Sequence, residues 1–168
     1  MSDRKPIVGV VMGSQSDLEV MTRCSEQLEE LGIGYEVRVI SAHRTPDVAR
    51  EYARSARDRG LKVIVAGAGM SAALAGALAA NTTLPVIGVP IDSGPLAGVD
   101  AAISTMQMPP GVPVACMAIG KAGAINAAIL AAEILALADT TLAARLDQLK
   151  KDQAAKVADD NAEVSGQG

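Results

Sequence analysis

Ile7-Val8-Gly9-Val10-Val11-Met12-Gly13-Ser14-Gln15-Ser16-Asp17 is the stretch that decides the fold. Its first six residues are apolar without alternation, the pattern of a strand buried on both faces of a parallel sheet. A Gly-Ser loop follows, and Leu18, Met21, Leu28 and Leu31 then recur at helical spacing until Gly32 stops the helix. The same strand-loop-helix unit repeats. Tyr35 to Ile40 reads as extended. Thr45-Pro46-Asp47 offers an N-cap, a proline at the first helical position and an acid in the first turn, for a helix running to about Arg59 and ending at Gly60. Val63 to Ala66 predicts a third strand, Gly67-Ala68-Gly69 a turn, and Ser71 to Ala80 a helix of small residues. Pro85 to Val89 and Val112 to Ala118 predict two more strands. A short helix near Val99 to Thr105 lies between them, and a long one from Ala122 to Leu137 follows. From Asp139 the chain turns polar, with charges at helical spacing through Lys156, and is expected to fray over NAEVSGQG. Five such units imply a parallel sheet with helices on both faces, in a single domain over 1–168, with 139–168 a polar helical tail packing on a neighbouring subunit.

Composition narrows the function. Of 168 residues, 49% are hydrophobic and 20% charged, enough for one sizeable core and against intrinsic disorder. Aromatics are 1%, only Tyr35 and Tyr52, which disfavours sites that stack a flavin or a single-stranded base. The net charge of -4, without a basic run, argues against nucleic acid and anionic membranes as partners. Cys24 and Cys116 suggest neither a disulfide framework nor a zinc site. The basic start MSDRK and the apolar run after it are too short, and too soon followed by Ser14-Gln15-Ser16-Asp17, to read as a signal peptide. The Ala-rich stretch from Ala122 to Ala138 carries Asn126 and Glu133 and falls short of a membrane span. A cytoplasmic protein is expected. Alanine-rich helices at Ser71–Ala80 and Ala122–Ala138 suggest close packing against copies of the same chain, or against the sheet of one subunit.

Ligands of open parallel sheets bind beyond the carboxyl ends of the strands, and three loops there carry more than turn residues. Gly13, Ser14, Ser16 and Asp17 offer amides, hydroxyls and a helix start to a phosphate; a plain capped turn is the alternative. Ser41-Ala42-His43-Arg44 holds the only histidine of the chain, beside an arginine able to grip a phosphate bidentately. His43 could donate and accept a proton in one cycle; a solvated turn is the alternative. Ala68, Gly69, Met70, Ser71 and Leu74 form the third loop, whose glycines allow a ligand close to the backbone. Nothing reads as a metal site, a Walker A loop or a GxGxxG fingerprint. These residues point to a phosphate-bearing small molecule and acid–base chemistry without a cofactor.

Taken together, MGSQSD at 12–17, SAHRTPD at 41–47, the Gly67-Ala68-Gly69 loop, LPVIGVP at 84–90 and QMPPGVPVACMAIGKAGAINAA at 107–128 resemble the 5-(carboxyamino)imidazole ribonucleotide mutase family, the catalytic-subunit type of phosphoribosylaminoimidazole carboxylase in purine biosynthesis. The resemblance runs from about Pro6 to Leu137. It implies a three-layer α/β/α subunit on a parallel, flavodoxin/Rossmann-like sheet of about five strands, a homo-octamer with sites near subunit junctions, and a reaction without metal, ATP or biotin. By the same resemblance Ser14, Ser41 and Arg44 hold the phosphate of a ribonucleotide and Asp17 its ribose hydroxyls. His43 is the general acid and then the general base, and Gly67 to Leu74 wall the base and carbon dioxide. Gln107-Met108-Pro109 closes over the site from another subunit. One departure stands out. Many members carry a histidine in a GGAAHLPG-like third loop, where this chain has Ala73. A direct carboxylase of aminoimidazole ribonucleotide using carbon dioxide is the alternative; its class typically has Lys after the His, where this chain has Arg44. Flavodoxin-like or receiver-like binding modules fit less well, lacking aromatics in the first case and strand-end acids in the second.

Overall fold

The strand pattern at the start of the chain becomes β1, Val8–Met12, every residue of which is buried. In the computed structural model, which describes residues 4–166, a turn of 3-10 helix at Gln15–Asp17 leads into α1 (Leu18–Glu30). Then follow β2 (Tyr35–Val39), α2 (Pro46–Ser55), β3 (Val63–Gly69), α3 (Leu74–Ala79), β4 (Val86–Ile91) and α4 (Val99–Met106). The chain continues through β5 (Ala115–Cys116), α5 (Lys121–Ala136) and α6 (Thr140–Ser165). All strand pairs are parallel, in the order β2-β1-β3-β4-β5. This is the three-layer, flavodoxin-like arrangement that the repeat implies. Its order reverses between β1 and β3, the switch point at which such sheets open a crevice.

The period-two geometry of β1 sorts its side chains to two cores. Val8, Val10 and Met12 face a layer built by Met21, Cys24 and Leu28 of α1 and by the alanines of α5. Val11 faces the opposite layer, where Ala49, Tyr52 and Ala53 of α2 meet Leu74, Ala75 and Leu78 of α3. Gly9 points to that side too, and the Tyr52 hydroxyl occupies the space where a Cβ would stand. Ala124, Ala127, Ala128, Ala131 and Ala132 are fully buried within one chain. Their small side chains let α5 lie close on the sheet and α1, so contact between copies is not needed to explain them. Burial pushes the Cys24 thiol up to about 12, so it packs as an inert apolar group.

Several boundaries differ from the pattern-based expectation: α2 ends at Ser55, short of Arg59, where the chain passes into a turn, and β4 runs two residues further, to Ile91. The Gly67-Ala68-Gly69 segment continues β3, with Gly69 opposite Ile91 of β4. Helix α3 starts at Leu74 rather than Ser71. Met70 takes a left-handed conformation (φ 51), and the Ala72 and Ala73 amides bond two residues back, to Met70 and Ser71. The fifth strand shrinks to Ala115–Cys116, because Pro113 has no N–H to give a ladder and Val112 turns back to Pro109. The tail does not fray at Asn161. Helix α6 runs to Ser165 and closes at Gly166 (φ 68), while Gln167, Gly168 and the first three residues of MSDRK lie outside the described residues. Asp139 caps α6 by accepting from the amides of Thr141 and Leu142, both at 3.0 Å. Its first turns pack on their own chain through buried Leu142 and Leu146, and Arg145 Nη1 donates to the Leu31 carbonyl at 2.8 Å. No helix among the described residues is long and apolar enough to cross a membrane.

Candidate functional site

Beyond Met12 the chain must turn from strand into helix, and the Ser14–Asp17 segment does so with a reciprocal cap. Ser14 Oγ accepts from the Ser16 amide at 3.3 Å, and Asp17 Oδ2 accepts from the Ser14 amide at 3.0 Å. Ser16 Oγ donates to Asp17 Oδ1 at 3.4 Å. The capped turn and the cleft wall are therefore the same residues. Asp17 is 5% exposed, and burial raises its carboxyl above the ordinary 3.8, against the pull of the Ser14 amide, the Ser16 hydroxyl, the Gly13 amide and Arg44. A raised value means that the folded chain holds this proton more tightly than the unfolded one, so folding stability falls as pH rises through that range. Asp17→Asn keeps an acceptor for the Ser14 amide and removes the buried charge. It is expected to melt no lower than wild type at pH 7, with its advantage shrinking toward pH 4; thermal unfolding at both pH values checks this.

The second loop is held by its own side chains. Thr45 does not cap α2 with its hydroxyl, as its position predicts; Oγ1 turns back, accepting from the Ser41 amide at 3.1 Å and donating to the Ser41 carbonyl at 2.9 Å. Ser41 Oγ accepts from the Arg44 amide at 3.2 Å and from Arg44 Nε at 3.3 Å. Arg44 Nη2 donates to the Gly13 carbonyl at 3.1 Å, tying the loop after β2 to the loop after β1. The guanidinium is thereby fixed beside Ser14 and Ser41. His43 lines the same cleft, exposed, with no hydrogen bond or ion pair to the described residues.

These groups and the end of β3 enclose a cleft of about 410 Å³. Gly13, Ser14, Ser16, Asp17, Ser41, His43 and Arg44 line one side, and Ala68, Gly69, Met70, Ser71 and Leu74 the other. Ala42 is the exception among the residues singled out from sequence: it does not line the cleft but packs against the α2/α3 core. Within the chain Gln107, Met108 and Pro109 do not reach the cleft; Met108 lies over Gly76, its Sδ 3.1 Å from where a Cβ would stand. Ala73 and Ser93 line the cleft as well. Ser93 escaped sequence reasoning, although it follows the apolar run of β4 as the other three loops follow theirs. Among the described residues no cluster of three His, Cys, Asp or Glu could hold a metal ion.

A doubly wound α/β chain with an arginine, capping hydroxyls, a buried acid and a histidine gathered at its switch point belongs to the class of small-molecule nucleotide-handling proteins. Comparison with known proteins narrows that class. A family model described as AIR carboxylase matches residues 7–156. The chain is 56% identical over 147 residues to the N5-carboxyaminoimidazole ribonucleotide mutase of Bacillus subtilis (strain 168), covering 88% of this chain and 91% of that protein. The mutase of the same name from Brucella melitensis biotype 1 is 53% identical over 152 residues, covering 90% and 94%. The crystal structure of Treponema denticola PurE superposes with a TM-score of 0.84 at 31% identity, over 94% of this chain and 98% of that one. The chain belongs to the AIR carboxylase family.

Proposed function

We propose that the chain converts 5-carboxyaminoimidazole ribonucleotide into 4-carboxy-5-aminoimidazole ribonucleotide, a carboxyl transfer within one molecule in purine biosynthesis. The observation that carries this reading is the cleft itself, where Arg44, Ser14 and Ser41 stand together with Asp17 and the one histidine. The relatives at 56% and 53% identity bear the mutase name, which disfavours the direct carboxylase. The phosphate is held by Arg44 and the two serines, and the ribose hydroxyls by Asp17. Imidazolium His43 protonates the exocyclic nitrogen, whose bond to the carboxyl carbon breaks to release carbon dioxide. Carbon 4 of the ring then bonds to that carbon dioxide, and neutral His43 takes the proton from carbon 4, returning to its starting state. Holding carbon dioxide beside the ring replaces an encounter with a positioned neighbour, the source of much of the rate. With Ala73 where many members have histidine, both proton transfers fall to His43.

The reading includes a homo-oligomer, an octamer by resemblance. It is supported by Val99, Ile103 and Met106, each more than half exposed and spaced to form one apolar stripe along α4, with exposed Leu96 in the turn just before it. A cytoplasmic location fits this chemistry and the two free cysteines.

The test supplies fresh 5-carboxyaminoimidazole ribonucleotide and follows the carbon-4 carboxylate, since loss of substrate alone also occurs without an enzyme. A parallel run starts from aminoimidazole ribonucleotide with low bicarbonate. Rapid product in the first run only is expected. Rapid product in the second would make the chain a direct carboxylase, and product in neither would remove the reading.

A further inference from the structure

The loop after β4 plays no part in the chemistry described so far, yet the carboxyl end of this strand reaches the cleft through Ser93. The Ser93 amide donates to the Ile91 carbonyl at 2.9 Å, so the backbone here is tightly turned. Its side chain lies against Gly69 of β3. A Cβ on Gly69 would collide with Ser93 Oγ and stand 3.0 Å from Ser93 Cβ. Glycine at 69 therefore leaves room for that hydroxyl. Ser93 Oγ makes no hydrogen bond to any described residue, unlike the Ser14, Ser16 and Ser41 hydroxyls, each of which is engaged by its own loop.

Position gives this hydroxyl a direction of use. Arg44 is pinned to the Gly13 carbonyl at the end of β1, and β4 is two strands further across the sheet. At about 4.8 Å per strand this is about 10 Å, the reach from the phosphate to the base of an extended ribonucleotide. A ligand anchored at Arg44 thus brings the far end of its ring toward β4. A hydroxyl without a protein acceptor is best satisfied by a charged one, because a bond to a charged group is stronger than a neutral pair.

We propose that Ser93 is a further substrate-binding residue, whose Oγ, seated over Gly69, donates a hydrogen bond to the carboxylate at the ring end of the nucleotide. The inference rests on the proposed function for the identity of that nucleotide. Calorimetry with the full-length protein compares 4-carboxy-5-aminoimidazole ribonucleotide with aminoimidazole ribonucleotide, which lacks the carboxylate. Ser93→Ala is expected to weaken the carboxylated ligand about tenfold or more and the other less than twofold. Equal weakening of both ligands by Ser93→Ala, or of neither, overturns the proposal. A wild-type protein that binds neither ligand and makes no product overturns the function itself, so the two failures are told apart.

Discussion

His43→Asn is expected to lower turnover by about 10²–10⁴-fold, the usual worth of a positioned general acid–base, while leaving the melting temperature and the assembly unchanged. His43 is exposed and makes no hydrogen bond or ion pair to the described residues, so the fold does not lean on it. Surface replacements of that kind cost within about 0.5 kcal/mol. Asparagine keeps a polar group of similar reach but cannot cycle a proton near neutral pH. Nucleotide affinity should therefore persist while the chemical step fails, which steady-state kinetics and calorimetry on the same variant separate. Ala73 sharpens the test. A chain with a second histidine in the third loop could pass part of the proton traffic to it, whereas this one has a single imidazole. Activity near wild type would remove His43 from the mechanism.

The sequence made the layered fold and most of the cleft legible for one physical reason. A parallel sheet buried on both faces needs unbroken apolar strands, and its ligands sit where those strands end, so Val8–Met12 and the loop after it announce both together. What stayed hidden was set by contacts that no local pattern contains. The late start of α3 depends on Met70 at φ 51, a conformation uncommon for a residue other than glycine, and nothing around Met70 in sequence signals it. Thr45 looks like an N-cap, yet its hydroxyl is drawn back to Ser41 by the turn that positions Arg44. Ala42 sits between two cleft residues but faces the opposite way, into the α2/α3 core. Ser93 follows an apolar strand as the other site loops do, but its contact with Gly69 exists only because β4 pairs with β3 in the register that sets Ile91 beside Gly69. Strand register is a property of the folded sheet.

Arg44→Glu is expected to weaken the ribonucleotide by about 10²–10³-fold, with a smaller change in kcat than in KM. One charge-assisted bond to phosphate contributes about 1.5–3 kcal/mol, and reversal of the charge adds repulsion from the same phosphate. Arg44 also has a structural duty, through the Ser41 hydroxyl at 3.3 Å and the Gly13 carbonyl at 3.1 Å, so loss of affinity could come from a displaced loop. Ionic strength separates the two causes. A phosphate held by a guanidinium is released as salt rises, because screening weakens exposed charge pairs. A carboxylate in its place makes the interaction repulsive, so added salt should improve binding to the variant. Arg44→Gln, which keeps donors for the Gly13 carbonyl but carries no charge, is expected to fall between them with little salt dependence. Calorimetry of the three proteins at two salt concentrations decides the matter. Affinities of Arg44→Glu and Arg44→Gln that fall equally and ignore salt would assign Arg44 to holding the loops and place the phosphate elsewhere in the cleft.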